Sequence, residues 1–362
     1  MIITSIFVIW KINNETLFLC LFISSLWLVD TSNITSIWLL IEMQTLSLIL
    51  IIYLNEKTSY LNMESIFKYM IMSVLFSIFI LLYIISEYSA SNNIFLKSYS
   101  VISFLTLIAF SLKIGIFPLH IWIPEVYLGI TLDNIFVIGF TPKIIMYLVW
   151  SKIYMVNDMF YTLILLSLIF SCIAGLNQSN LKMILAYSSI YNISFIFFSF
   201  FIVSNICNIY SYTYFLIYFF TNTIILLCLK KIITDKYQLI YLINSNKKIN
   251  ILISISLFSL IGIPPLAGFF IKVFFLKQIL YNKMILLSLI IILTTIVSSF
   301  YYLRIIKTLY DINSLNLNHW ANISSKISLF KNKRLIFVCI YIIIAVIYSP
   351  NFLIIILNYI YL

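Results

Sequence analysis

Charged residues are scarce in this sequence: they make up 9% of its 362 residues, against roughly 25% in a soluble domain. So few charges cannot cover a water-facing surface, so lipid must be the solvent for most of the chain. Glycine and proline are scarce too, six of each. Histidine occurs twice, and the five cysteines are scattered singly, with no CxxC and no Cys/His cluster. A metal, haem or iron–sulfur site built by this chain alone is therefore not expected. The first residues lack both a basic stretch and a small-residue cleavage site, and no Arg-rich leader is seen. The expectation is a chain made in the compartment where it inserts. The excess of Ile, Phe, Tyr, Asn and Lys fits AT-rich coding, common in organelle genomes.

Apolar residues, by contrast, are abundant: 63% of the chain, with a mean hydropathy of +1.12. They fall in runs of spanning length, the signature of a helical bundle rather than of the ten-residue alternation of a membrane barrel. The runs predict an all-α polytopic membrane domain over 1–362 with about eleven crossings, at 15–30, 34–54, 64–86, 99–127, 133–152, 158–177, 181–204, 206–229, 249–281, 284–306 and 335–358. The fourth and ninth runs are too long and carry prolines, Pro118 in one and Pro264 with Pro265 in the other. Proline removes a backbone donor and crowds the preceding turn, so both helices are expected to be discontinuous there. The breaks lie five crossings apart, and an odd shift reverses direction. The reading is two inverted five-helix repeats, about 15–152 and 158–306, and a closing helix at 335–358.

Charge sets the expected orientation. Half of the basic residues are expected in two loops: Lys230, Lys231, Lys236, Lys247 and Lys248, then Arg304, Lys307, Lys326, Lys331, Lys333 and Arg334. Two crossings separate them, so both face the cytoplasmic or matrix side, with the N-terminus there and the C-terminus opposite. The net charge of +11 fits insertion polarity and anionic headgroups, and requires no nucleic acid.

Four ionisable residues lie inside apolar runs: Glu42 (WLLIEMQTL), Lys113 (AFSLKIGIF), Lys143 (GFTPKIIMY) and Lys272 (AGFFIKVFF). Each charge at a helix centre costs roughly 2.5–3.5 kcal/mol on insertion scales. One reading is snorkelling or structural ion pairing. The other is chemical: a desolvated lysine can fall from a pKa near 10.4 to roughly 5–6, and a nearby carboxylate pushes it back. One carboxylate and several lysines joined by hydroxyls and water would then form a switchable proton path, with half-helix ends beside Lys113 and Lys272. His120 either relays protons or bonds a carbonyl. Tyr187, Ser188 and Ser189 either line the path or hold helices together. Glu64 and Lys68 read as a structural i,i+4 pair, Glu125 and Asp133 as brackets of a loop, and Lys182 as a snorkelling residue.

Several motifs carry a resemblance. SLKIGIFPLHIWIPEVYLG (111–129), GLNQSNLKMILAYSSIYNISFIF (175–197) and SLIGIPPLAGFFIK (259–272) run in order, supported by IEMQTLSLI (41–49), ESIFKY (64–69) and FYYLRIIKTLY (300–310). Together they resemble the antiporter-like NADH dehydrogenase subunit 2 family of respiratory complex I, in its short mitochondrial form. The resemblance implies proton translocation, with Glu42, Lys113, Lys143 and Lys272 matching the family's intramembrane charges. It also implies NADH, FMN, iron–sulfur clusters and ubiquinone held by partner subunits, and other membrane-arm and accessory subunits and lipids such as cardiolipin as partners. The mitochondrial inner membrane is the location it implies. Departures are Asn192 where the family usually has histidine, Phe117 in place of a small residue, and Thr141-Pro142 before Lys143. A subunit of an Mrp-type cation/proton antiporter, or a structural subunit without pumping, are the alternatives; no redox or bond-making site is expected on this chain itself.

Overall fold

The computed structural model describes residues 15–31, 33–55, 60–92, 99–153, 158–198, 205–232, 247–264 and 266–310. Twelve α-helices and no strand occur among them: α1 (Glu15–Asp30), α2 (Ile34–Asn55), α3 (Tyr60–Asn92), α4 (Tyr99–Ile114), α5 (Trp122–Gly129), α6 (Leu132–Ile153), α7 (Asp158–Leu176), α8 (Leu181–Phe198), α9 (Asn205–Ile232), α10 (Lys247–Ile261), α11 (Ala267–Tyr281) and α12 (Ile285–Tyr310). Seven of them are long and apolar enough to span a bilayer by length and composition: α2, α3, α6, α7, α8, α9 and α12. Helices, or pairs of half-helices, stand where the apolar runs place them up to residue 310. The closing helix expected at 335–358 lies outside the described residues, as do Lys236, Lys326, Lys331, Lys333, Arg334 and Pro265.

Helix is the form that satisfies every backbone group without water. Serine and threonine hydroxyls follow the same logic. Ser111 donates to the Ile108 carbonyl at 2.9 Å, Ser194 to Tyr191 at 2.8 Å and Ser256 to Ile253 at 2.8 Å, each within its own helix. Such back-bonding lets polar residues sit in a helix that faces lipid or other helices.

The chain forms two compact units. The first comprises residues up to Phe170 together with Ser189–Phe197, and the second Ser171–Ser188 together with Phe198 onward. Within the first, α3 packs on α2, α4 and α5, while α6 packs on α1, α2 and α4. Within the second, α10 packs on α9, α11 and α12. Burial separates the helices further: α6, α8 and α9 are buried along most of their length, whereas α3 and α12 expose most of theirs, with Leu286, Leu293 and Phe300 of α12 bare.

Each unit contains one interrupted helix, and the two interruptions share a local structure. The Ser111 carbonyl accepts the backbone N–H groups of Gly115 and Ile116, at 2.9 and 3.0 Å. The Phe258 carbonyl accepts those of Gly262 and Ile263, at 3.0 and 3.2 Å. Both glycines are left-handed, with φ of 78° and 87°. This is a glycine C-cap, and it ends each helix before the first proline is reached. The breaks expected at the prolines are therefore made by glycine. Pro118 and Pro264 follow three and two residues later, where they oppose resumption of the helix. Trp122, which opens α5, donates its indole N–H to the Leu112 carbonyl at 3.0 Å and ties the first pair of half-helices together.

Candidate functional site

Lys113 lies in the last turn of α4 and is 5% exposed. Its ammonium sits 5.0 Å from the ring centre of Phe76 and 5.9 Å from that of Tyr69, both on α3. Nζ has no hydrogen-bond partner among the described residues. The aromatic faces supply the cation's nearest stabilisation. Glu42, on α2, is half-buried; Thr45 donates to its Oε2 at 3.4 Å and to its backbone carbonyl at 2.9 Å, while Oε1 is buried without a partner among the described residues. Glu42 and Lys113 are within electrostatic reach of one another, yet form no direct ion pair. The Tyr69 hydroxyl, also buried and without a partner among the described residues, interacts electrostatically with Glu42 as well. Three buried polar atoms thus lie in electrostatic reach of one another with hydrogen-bonding capacity unused among the described residues, which is rare in folded chains.

Lys143 is held differently. Pro142 leaves the Ile138 carbonyl of α6 without its usual donor, and Thr141 fills the next position by donating to the Val137 carbonyl at 2.8 Å. The Lys143 ammonium, 4% exposed, donates to the Ser189 hydroxyl of α8 at 2.9 Å. Ser189 in turn is hydrogen-bonded to the Tyr127 hydroxyl of α5. Of the three residues at 187–189, Ser189 meets Lys143. Ser188 donates to the Leu185 carbonyl of its own helix at 2.9 Å, and Tyr187 lies half-buried beside Gly175.

In the second unit, Lys272 of α11 reaches back to the end of α10, where its ammonium donates to the carbonyls of Leu260 and Ile261 at 2.6 and 3.1 Å. Those carbonyls are the negative end of a helix dipole, and Lys272 neutralises it. Buried Cys172, whose thiol meets the Thr294 carbonyl at 3.3 Å, is the other group in electrostatic contact with this lysine.

His120 lies in the first interruption, 4% exposed, stacked on Phe117 at 5.6 Å and edge-on to Phe170 at 4.8 Å, next to the Pro118 carbonyl. The structural pair Glu64–Lys68 is present at 2.6 Å, and Lys68 also bridges to Glu125 at 2.7 Å. Glu125 belongs to α5, and it and Asp133 bracket the short connection at 130–131, so Lys68 fastens that half-helix to α3. Asp133 sits in the first turn of α6, where the helix dipole favours an acid. Lys182 does not snorkel to the surface: it is 4% exposed, because α8 is buried along almost its whole length. Nor does Arg304 lie in a loop. It projects from α12 and donates to the carbonyls of Leu176 and Gln178 at 2.7 and 3.4 Å, capping α7.

Residues 31–298 match the family described as NADH:quinone oxidoreductase/Mrp antiporter, transmembrane. The chain belongs to that family. The matched interval contains Glu42, Lys113, Lys143 and Lys272 together with both helix interruptions. The chain is 31% identical over 309 residues to NADH-quinone oxidoreductase subunit N of Wolbachia sp. subsp. Brugia malayi, covering 78% of this chain and 66% of that one. It is 29% identical over 291 residues to NADH-ubiquinone oxidoreductase chain 2 of Locusta migratoria, covering 79% and 83%. The chain thus spans about two-thirds of the Wolbachia relative's length and 49% of that of the Rickettsia prowazekii subunit N. Its fold is similar to that of a chain in respiratory complex I from Thermus thermophilus, with a TM-score of 0.77, 20% identity, and coverage of 92% and 77%. It is also similar to a chain of the Mrp complex from Dietzia sp., with a TM-score of 0.71, 15% identity, and coverage of 81% and 60%.

Glu42, Lys113, Lys143 and Lys272 were readable as charges in apolar runs. Tyr69 and Tyr127 were not, since a tyrosine in an apolar helix carries no mark of which polar atom it will meet.

Proposed function

We propose that the chain is an antiporter-like, proton-translocating membrane subunit of respiratory complex I. The observation that carries this reading is the grouping of Glu42, Tyr69 and Lys113: a half-buried carboxylate with a buried hydroxyl and ammonium, electrostatically coupled, with hydrogen-bonding capacity unused among the described residues and no direct ion pair. Buried polar atoms of this kind are ordinarily satisfied by water, and a hydrated acid–base pair can pass a proton when a neighbouring charge changes. In this reading Lys113 is the switching group, Glu42 stabilises its charged form, Lys143 takes the proton onward, and Lys272 and His120 belong to the same path. NADH oxidation, FMN, iron–sulfur clusters and ubiquinone reduction are assigned to partner subunits, and this chain performs no redox step.

The proposed architecture is one polytopic domain with two inverted five-helix repeats and a closing helix at 335–358, its N-terminus on the matrix side of a mitochondrial inner membrane. Other membrane-arm and accessory subunits and lipids, cardiolipin among them, are its expected neighbours. The similarity to the Mrp complex chain favours a second reading, a subunit of a cation/proton antiporter. The two separate on purification of the intact assembly. Co-purifying flavin and iron–sulfur subunits, with proton pumping driven by NADH, support the first. Their absence, together with sodium/proton exchange, supports the second.

A further inference from the structure

We propose that Ser189 and Tyr127 form the proton outlet of Lys143, a relay that runs from the ammonium into the half-helix α5, with Gly139 keeping the space it needs. The inference rests on the proton-translocating reading above and extends it to two hydroxyls outside the family of buried charges. The geometry is specific. Lys143 on α6 donates to Ser189 on α8 at 2.9 Å. The Ser189 hydroxyl, which accepts from the ammonium, is also a side-chain hydrogen-bond partner of the Tyr127 hydroxyl. All three side chains are buried, so no bulk solvent competes for these bonds.

Gly139, one turn before Lys143 on the same helix, adds an independent observation. A Cβ at this position would stand 2.6 Å from the Tyr127 hydroxyl oxygen and 3.7 Å from the ring carbon that bears it. A methyl at 139 therefore presses on the end of the relay, while no Lys143 atom is among its nearest neighbours. Its φ is ordinary, so the glycine is explained by the approach of Tyr127 rather than by backbone conformation.

The transfer balances as a chain of exchanges. The Nζ–H bond of the Lys143 ammonium breaks as an O–H bond forms on Ser189. The Ser189 proton passes to the Tyr127 oxygen, and the Tyr127 proton leaves to a water molecule. One proton has moved from ammonium to water, and both hydroxyls end neutral, ready to rotate back. Charge on Lys143 sets the direction: the ammonium donates to Ser189, whereas the neutral amine accepts from it.

The test is proton pumping per NADH oxidised, measured in the assembled complex. Ser189→Ala, Tyr127→Phe and Gly139→Ala are each expected to reduce the ratio as far as Lys143→Met does. Ser189→Thr, which keeps the hydroxyl, is expected to recover it relative to Ser189→Ala. Normal pumping in Ser189→Ala and Tyr127→Phe, with Lys143→Met defective, would overturn the relay and leave the proton-translocating reading standing. Normal pumping in Lys143→Met and Lys113→Met as well would overturn both. Loss of assembled complex in Ser189→Ala and Tyr127→Phe, in place of loss of pumping, would make the two hydroxyls structural and end the proposal.

Discussion

Lys272 and Leu260 meet across the second helix interruption, with the ammonium 2.6 Å from the backbone carbonyl. Leu260 stands two residues before the left-handed Gly262, the place that Lys113 holds before Gly115. Each interruption therefore has a lysine, but the two are used in opposite ways. Lys272 comes from the downstream half-helix and caps the carbonyls of the upstream one. Lys113 is built into the upstream half-helix and has no hydrogen-bond partner among the described residues.

The capping geometry predicts a stability phenotype for Lys272→Met. The carbonyls of Leu260 and Ile261 lose a charged donor in a buried setting, and an unsatisfied buried acceptor costs roughly 1–3 kcal/mol. The variant complex is expected to melt earlier than the unsubstituted one, in addition to any pumping defect. An unchanged melting temperature would show that the capping bonds contribute nothing.

Lys113→Met should separate the other way. Methionine keeps the length and apolar packing beside Phe76 and Tyr69 while removing a buried charge, so the complex is expected to assemble without loss of stability. Pumping per NADH oxidised is expected to fall. Lys113→Arg should impair pumping too, because guanidinium stays protonated. Full pumping in both variants would remove Lys113 from the mechanism.

The helices were legible because lipid forces long apolar runs, and the buried charges because Lys113 and Lys143 stand inside such runs. What could not be read was the partner of each charge. Ser189 and Ser188 are adjacent and chemically identical, and only the helical phase of α8 against α6 decides that Ser189 meets Lys143. Likewise, Lys68 reads as half of an i,i+4 pair, yet it also holds Glu125, a contact made by folding α5 back onto α3. The interruptions were assigned to proline because proline is the stronger breaker. The glycines three and two residues earlier cap the helices first, as the paired hydrogen bonds to Ser111 and Phe258 show.

Tyr69→Phe tests whether the third polar atom near Glu42 and Lys113 matters. The ring is buried, and phenylalanine keeps its volume and its face toward the ammonium. Because the hydroxyl has no hydrogen-bond partner among the described residues, its removal is expected to leave stability within about 1 kcal/mol. If the hydroxyl instead helps hold water between Glu42 and Lys113, pumping slows although the protein is intact. Equal pumping rates for the variant and the unsubstituted complex would exclude the hydroxyl from the path.

Gly115→Ala and Gly262→Ala probe the two interruptions with one change each. Both positions are left-handed, where an L-residue costs roughly 1–2 kcal/mol. Their surroundings differ. At 115 the added methyl would collide with the Ile123 side chain, which is buried and anchored in α5. At 262 the nearest atom is the Lys272 Cδ at 3.2 Å, part of a flexible chain that can yield by a few tenths of an ångström. Gly115→Ala should therefore be the more damaging, lowering the amount of assembled complex, whereas Gly262→Ala should assemble and melt earlier by the conformational cost and by any displacement of Lys272 from its carbonyls. Quantifying assembled complex by native electrophoresis and its melting temperature by scanning calorimetry separates the two. Equal damage in both would mean that backbone conformation, rather than the space beside Ile123, sets the requirement for glycine at 115.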